Sequence, residues 1–305
     1  MTKKVLFYIN ATFTHFAIAY YLQKLCDCKL YAVVDITHKP KFFFETQKLV
    51  KFEKIWYYHD HIQNGIKHDE LFLKEFEKKF KINLWQMIIN ERIFYRFFDF
   101  HKFTRNEMLS ISQQSVVLFK KIFDEIKPDF LASDAPVFFH NELLVQMSEQ
   151  LGIQNLILSM PKLAGKSMIT KQIDQFDENV NLKNIEIKNR TIDELQKYLM
   201  KRVPDDAWKN YWNKQSTGMN VALRSKIEYI TSPNQHEKTH YTYFGRTKGN
   251  VVLSTIGGMI KKKIREKFME KNLPKRLENN FQYIYFPMSV DMERNVLIDT
   301  PFYTN

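Results

Sequence analysis

The N-terminal segment carries the pattern that most restricts the fold: a strand, a helix and a second strand joined by short loops. Val5 to Ile9 is a continuous apolar run of strand type, and residues 11–15 form a loop that leads into a helix from about Phe16 to Leu25. Lys29 to Val34 repeats the strand pattern and ends in Asp35, and Lys54 to Tyr58 is a third expected strand. This order favours an α/β fold with a parallel sheet and right-handed crossovers.

The same alternation continues to about residue 160. A long helix is expected to begin at the capping box Thr104-Arg-Asn-Glu107 and to end before Pro128. Strands are then predicted at Asp129 to Ser133 and at Gln154 to Met160, with a helix from Asn141 to Leu151 between them. The first domain is therefore predicted to be Rossmann-like, with about five strands. Its first loop lacks G-x-G-x-x-G, so a dinucleotide site is unsupported.

Polar residues at two predicted strand ends are the candidate site. Ligands of open α/β sheets bind outside the carboxyl ends of the strands. Asp134 is a candidate general base there, against an ordinary role as a turn residue, and His15 at a helix start is placed to touch a ligand. Lys162, Lys166 and Ser167 are candidates for holding an anion, against a solvated loop.

Charge and cysteine usage limit the partners and the metals. The net charge of +12 favours an anionic partner such as a nucleotide diphosphate, an acidic sugar, a phospholipid surface or a nucleic acid. Two cysteines, Cys26 and Cys28, make neither a disulfide framework nor a zinc site, which favours a reducing cytoplasm. His59, His61 and His68 lack zinc-site spacing and are interpreted as an exposed polar loop, so no metal is expected.

Residues 251–273 are expected to form one long helix with two distinct faces. One face is an apolar stripe of five residues: Leu253, Ile256, Ile260, Ile264 and Phe268. The other face is basic, with eight Lys or Arg between positions 261 and 276. Two interpretations stay open: a solvated face over a core stripe, or an anionic membrane surface bound through Lys261, Lys262, Lys263, Arg265 and Lys267. Nucleic acid is not expected, because no recognised binding motif accompanies the charge.

A strand at Phe281 to Phe286 precedes a charged loop near the C-terminus. Residues 283–294, Tyr-Ile-Tyr-Phe-Pro-Met-Ser-Val-Asp-Met-Glu-Arg, followed by residues 297–305, resemble the motif that opens the second domain of bacterial and archaeal capsule and surface-polysaccharide biosynthesis proteins. Residues 127–134 and 152–158 resemble the late first domain of such proteins. Ser289 and Met292 depart from the family, which often carries His or Gln, and a Pro before the acidic residue.

The resemblance, to a family similar to the Kdo transferases of capsule assembly, implies a GT-B glycosyltransferase. Such an enzyme has two Rossmann-like domains facing a cleft and uses a nucleotide-activated sugar as substrate, with no cofactor, to modify a glycan or lipid-linked acceptor. Asp134 and Glu293 are the implied catalytic residues, and Ser289 and Arg294 are the implied contacts to the donor or to the hinge loop.

The resemblance also implies the domain boundaries. Residues 1–168 are expected to form the first domain, residues 169–277 a mostly helical connector, and residues 278–305 the start of a truncated second domain. The expected location is the cytoplasm, with peripheral contact at the inner face of the membrane. Two alternatives stay open: a GT-B-like sugar-nucleotide epimerase, and a non-catalytic membrane-peripheral component of polysaccharide assembly.

Overall fold

The computed structural model describes residues 2–36, 39–95, 100–159, 167–172, 189, 191–200, 213, 224, 227, 231, 241 and 244–272. The strands are β1 Lys3–Ile9, β2 Cys28–Val34, β3 Phe52–Tyr57, β4 Phe130–Asp134, β5 Gln154–Ser159 and β6 Met168–Thr170. The described helices are α1 Thr14–Leu25, α2 Lys39–Thr46, α3 Glu70–Phe80, α4 Leu84–Asn90, α5 Arg92–Tyr95, α6 Arg105–Ile126, α7 Phe139–Gln150, α8 Ile192–Met200 and α9 Lys248–Asn272.

The six strands form one sheet in the order β3-β2-β1-β4-β5-β6. The first five are parallel, so the α/β, Rossmann-like prediction is confirmed, and the arrangement is consistent with one domain of GT-B type. β1 pairs with β2 on one side and with β4 on the other, so the strand order reverses between β1 and β4. This reversal is the topological switch point, where ligands of open α/β sheets bind.

β1 is buried on both faces and separates two hydrophobic cores. Leu6 and Tyr8 face one core, which also contains most of the buried side chains of α6 and α7. Val5, Phe7 and Ile9 face the other core, beneath α1 and α2. Successive side chains of a strand point to opposite faces, so a continuous apolar run is what a strand covered on both sides requires.

The long helix α6 has the predicted beginning and end. The Thr104 hydroxyl accepts from the Glu107 backbone N–H at 3.3 Å, and a Glu107 carboxylate oxygen accepts from the Thr104 backbone N–H at 2.8 Å. Lys127 ends the helix with a φ of 45°, directly before Pro128. A second capping box is present at the start of α8, since Thr191 and Glu194 exchange the same pair of hydrogen bonds.

The sixth strand was not expected from the sequence. β6 has three residues and pairs antiparallel with β5, bringing Met168 opposite Ser159. A three-residue strand is too short to show a clear alternation, and only pairing with β5 identifies it. The predicted strand at residues 281–286 lies outside the described residues, and the domain boundaries stay predictions.

α9 forms as predicted, but the core-stripe interpretation of its apolar face is wrong. Leu253, Ile256, Ile260, Ile264 and Phe268 are each at least 53% exposed. The helix is held to the rest of the fold at its beginning, where Val251 is buried. None of the helices in the described ranges combines the length and the apolar character needed to cross a bilayer.

The contribution of the α6 capping box to stability can be tested by removing the Thr104 hydroxyl. Thr104→Ala is expected to lower the free energy of unfolding by about 1 kcal/mol, because the Glu107 N–H loses its acceptor. Urea unfolding followed by circular dichroism measures the change. Thr104→Ser is the matched control, since it keeps the hydroxyl and is expected to stay within about 0.5 kcal/mol of the parent. Equal losses in both variants would contradict the assignment of the cap.

Candidate functional site

The candidate site lies at the switch point, where the carboxyl ends of β1 and β4 are neighbours. Asn10 follows the last residue of β1, and Asp134 is the last residue of β4. The Asn10 side-chain amide donates a hydrogen bond to Oδ2 of Asp134. The predicted position of Asp134 at a strand end is therefore correct, and Asn10 is a partner that the sequence pattern did not single out.

Asn10 is fixed in this orientation by the turn that follows it. Its Oδ1 accepts from the backbone N–H of Thr12 at 3.0 Å and from the Thr12 hydroxyl at 2.7 Å. Asparagine side chains commonly bond to the backbone two residues ahead in this way and so stabilise a turn. Since Oδ1 is occupied by the turn, Nδ2 is the end of the amide that faces Asp134.

His15 contacts the other oxygen of the same carboxylate. It lies in the first turn of α1, and its Nδ1 is 2.8 Å from Oδ1 of Asp134, an ion-pair distance without the alignment of a hydrogen bond. The His15 side chain is 2% exposed, whereas the Asp134 side chain is 25% exposed. His15 and Asp134, which were singled out separately in the sequence, are thus neighbours, and the carboxylate is the accessible member of the two.

The loop between β1 and α1 carries backbone strain at Phe13. Its φ of 60° and ψ of 8° are left-handed, a conformation that is unusual for a bulky residue. Packing holds it there: the Phe13 ring stacks on Phe44 at 5.5 Å and meets Phe43 at 5.4 Å. Strained residues of this kind cluster at functional sites, where the surrounding structure compensates their cost.

A second polar cluster lies beside β1 on the opposite face of the sheet and is almost entirely buried. Asp35, directly after β2, receives three side-chain contacts: His59 Nε2 at 2.5 Å, His140 Nε2 at 2.8 Å, and the Tyr8 hydroxyl, which donates at 2.7 Å. The exposed fractions of the His59 and His140 side chains are 8% and 2%. The interpretation of residues 59–61 as an exposed loop is therefore wrong for His59.

Aromatic rings hold His140 in place. Its imidazole stacks on Tyr58 at 4.4 Å and on Phe138 at 6.2 Å. Tyr58 is itself fixed by a 2.8 Å hydrogen bond to the Ser115 hydroxyl of α6. The cluster therefore joins β1, the end of β2, the turn after β3, α6 and α7.

Burial and charge shift the pKa values in this cluster in opposite directions. Burial by itself raises the pKa of Asp35, but the positive charges of His140 and His59 and their hydrogen bonds outweigh it, and the pKa is well below its ordinary value. Burial lowers the pKa of His140, but the charges of Asp35 and Glu91 and the hydrogen bond to Asp35 raise it overall. For His59 burial prevails over Asp35, and the pKa is lowered. The shifts of Asp35 and His140 therefore favour the charged forms of both groups, which form an ion pair.

Glu91 is a second buried carboxyl close to this cluster. Burial raises its pKa, opposed by His140 and by hydrogen bonds from two backbone N–H groups. These donors are Ile93 at 3.1 Å and Phe139 at 2.8 Å. Glu91 thus ties the start of α7, which carries His140, to the start of α5.

The sequence contained a signal for part of this cluster. Asp35 follows a predicted strand, as Asp134 does, so the strand-end argument applies equally to both carboxylates. Its partners carried no such signal: Tyr8 reads as a core strand residue, and His140 precedes the predicted start of its helix by one position. Sequence spacing does not show that these side chains meet on one carboxylate.

The remaining predicted site residues are not assembled at this position. Ser167 is exposed and precedes β6, at the same edge of the sheet but two strands from Asp134. Neighbouring strands are about 4.8 Å apart, so Ser167 is not a direct partner of that carboxylate. Lys162, Lys166, Ser289, Glu293 and Arg294 lie outside the described residues. Among the described residues, no group of three or more His, Cys, Asp or Glu is arranged to hold a metal ion.

The Asp35 cluster predicts a specific pH dependence of stability. Because the pKa of folded Asp35 is lowered, its contribution is complete above about pH 4, the ordinary aspartate range, and is lost as the pH falls toward the lowered value. Because the pKa of folded His140 is raised, its contribution is complete below about pH 6.5 and is lost as the pH rises through the raised value. The contribution of the pair is therefore expected to be greatest between these limits and to fall on both sides.

Asp35→Asn is expected to lower the free energy of unfolding at pH 6 by about 3 kcal/mol, since it leaves a buried imidazolium without its counter-charge. Urea titrations from pH 4 to pH 9 measure both the loss and the flatter pH profile of the variant. The matched control is Asp60→Asn, which removes an exposed carboxylate paired with Lys41 and is expected to cost less than about 1 kcal/mol. A pH profile in Asp35→Asn that parallels the parent would contradict the assignment.

Comparisons with known proteins show a distant likeness to solved structures only. No family model matches the chain, and no curated protein matches it. Among solved structures, the crystal structure of UDP-N-acetylglucosamine 2-epimerase matches at 13% sequence identity and a TM-score of 0.29. The match covers 54% of this chain and 34% of that chain, so the chain spans about a third of the length of the protein it matches. At this TM-score the likeness carries no argument about function, and the site is interpreted from its own geometry.

Proposed function

We propose that this chain belongs to a glycosyltransferase that transfers a sugar from a nucleotide-activated donor during capsule or surface-polysaccharide biosynthesis. The observation that carries the proposal is Asp134, a partly exposed carboxylate at the switch point: one of its oxygens accepts a hydrogen bond from Asn10, and the other lies 2.8 Å from Nδ1 of His15. Position, orientation and access together are what a general base needs.

Asp134 is the base in this proposal, and His15 and Asn10 are its positioning residues. His15 is nearly enclosed, so it cannot meet an acceptor directly, whereas a quarter of the Asp134 side chain is accessible. Each carboxylate oxygen has more than one lone pair, so the contacts to Asn10 and His15 leave capacity to accept from a substrate hydroxyl. Fixing both oxygens limits rotation of the carboxylate and keeps the remaining lone pairs directed at one place.

The proposed reaction is a single inverting displacement at the anomeric carbon. An acceptor hydroxyl oxygen bonds to the anomeric carbon as the bond from that carbon to the diphosphate oxygen breaks. The hydroxyl proton passes to Asp134, and the nucleoside diphosphate leaves with the bonding electrons. The reaction is proposed to need no cofactor, and general-base assistance contributes typically a factor of about 10² to 10⁴.

The leaving diphosphate is proposed to lie near the first turn of α1. This helix begins at the same loop, has no side-chain cap at its N-cap residue and carries no acidic residue in its first turn. Backbone N–H groups at a helix beginning attract phosphate. Lys162, Lys166 and Ser167 remain proposed anion contacts, and Glu293, Ser289 and Arg294 remain the residues that the family resemblance implies on the donor side.

Asp134→Asn tests the proposal, because it keeps the side-chain volume and removes the proton acceptor. With a panel of nucleotide sugars and glycan or lipid-linked acceptors, kcat is expected to fall at least about a hundredfold. The affinity for the nucleoside diphosphate, measured by calorimetry, is expected to change by less than about threefold. Release of nucleoside diphosphate and formation of the product are both followed.

The matched control is Asp124→Asn, an exposed aspartate of α6 that is not part of the site. It is expected to retain the parent kcat. Equal losses in the two variants would overturn the assignment of Asp134. Conversion of the nucleotide sugar in the absence of any acceptor, with no sugar transferred when acceptor is added, would favour the sugar-nucleotide epimerase instead.

A further inference from the structure

The apolar face of α9 is exposed over much of its length. The exposed fractions of its aliphatic side chains include 69% for Leu253, 53% for Ile256 and 62% for Ile264, and Phe268 is 65% exposed. Scattered apolar side chains are normal on a protein surface, but a contiguous apolar strip along one helix marks an interaction site. The apolar face of α9 is therefore a candidate interaction surface.

The strip is arranged as one face of the helix. At about 100° of rotation per residue, its members between positions 252 and 264 fall within an arc of about 140°. They are Val252, Leu253, Ile256, Met259, Ile260 and Ile264. This width is typical of a helix that lies flat with one side in an apolar medium.

Six basic side chains follow the strip along the second half of the helix: Lys261, Lys262, Lys263, Arg265, Lys267 and Lys271. Only Glu266 and Glu270 oppose them between positions 261 and 272. All eight of these side chains are exposed, and the contact between Lys262 and Glu266 is a surface pair at 3.7 Å. Lys263, Lys267 and Lys271 fall within the arc of the strip, whereas Lys261, Lys262 and Arg265 lie outside it. The apolar and basic parts are therefore separated along the helix, and the partner is apolar against its first half and anionic against its second half.

The positions of the lysines favour a lipid surface over a second helix as the partner of α9. A coiled-coil seam that begins at Leu253 and Ile256 continues through positions 260, 263 and 267. Two of these positions are Lys263 and Lys267, so a paired helix would bury two ammonium groups against an apolar seam. At a lipid surface the same lysines extend their apolar stems along the helix and place the ammonium groups among the headgroups.

We propose that α9 lies in the interface of an anionic phospholipid membrane, with its apolar strip inserted and its lysines on the headgroups. The helix is attached to the Rossmann-like domain at its beginning: Val251 and Phe244 are buried, and a turn at Gly245 has a φ of 69°. The switch-point domain would thus be tethered to the membrane. This proposal is independent of the proposed reaction, because it rests only on α9.

Co-sedimentation of the full chain with vesicles tests it. Vesicles of phosphatidylcholine with about 30% phosphatidylglycerol are expected to bind the protein, and vesicles of phosphatidylcholine alone are expected to bind it at least tenfold more weakly. Raising the salt from 0.05 M to 0.5 M is expected to weaken the binding, because the charge contribution is screened.

Two variants separate the charge from the strip. Reversal of Lys261, Lys262 and Lys263 to Glu is expected to weaken binding to the anionic vesicles roughly a hundredfold or more. The matched control changes Lys102, Lys120 and Lys121 to Glu, three exposed lysines outside α9. It makes the same change in net charge and is expected to change the binding little. Ile256→Ser combined with Ile260→Ser keeps the charge and is expected to weaken binding at least tenfold.

The contrary results are equally specific. No binding to anionic vesicles, or binding that both variants leave unchanged, would overturn the proposal. A change of oligomeric state in the Ile256 and Ile260 variant, with no vesicle binding by the parent chain, would show that a second copy covers the strip. Each variant must have the circular dichroism spectrum and the melting temperature of the parent, so that loss of folding is not mistaken for loss of binding.

Discussion

The double burial of β1 is the constraint on which the rest of the structure depends. Because its alternate side chains go to two different cores, its polar neighbours have no place within the sheet and lie at the two ends of the strand. Asn10 follows the carboxyl end, Asp35 flanks it on the β2 side, and Asp134 flanks it on the β4 side. Asp35 and Asp134 therefore lie on either side of one strand.

These carboxylates are held in different ways. Asp35 has three side-chain partners in a nearly closed space, and its lowered pKa keeps its charge as part of the ion pair with His140. Asp134 has two partners and a side that remains open. A carboxylate that is enclosed stabilises the fold, whereas one that is oriented but accessible is available to a substrate.

Much of the fold could be predicted because the relevant signals are local. The apolar run at Val5 to Ile9, the capping box at Thr104 and the stop at Pro128 each act within a few residues. The contacts that define the buried cluster are not local: Tyr8 and His140 meet Asp35 across 27 and 105 positions. The strip on α9 failed as a core prediction for another reason, since periodicity shows that a face is apolar without showing what covers it.

The left-handed backbone at Phe13 places its ring against α2, a helix that does not line the candidate site. The ring of Phe13 packs between Phe43 and Phe44 of α2 and the neighbouring Phe16, so the turn from Asn10 to His15 cannot shift without displacing those rings. Any change in the backbone of this turn therefore requires a rearrangement of the aromatic contacts that hold α2 against α1.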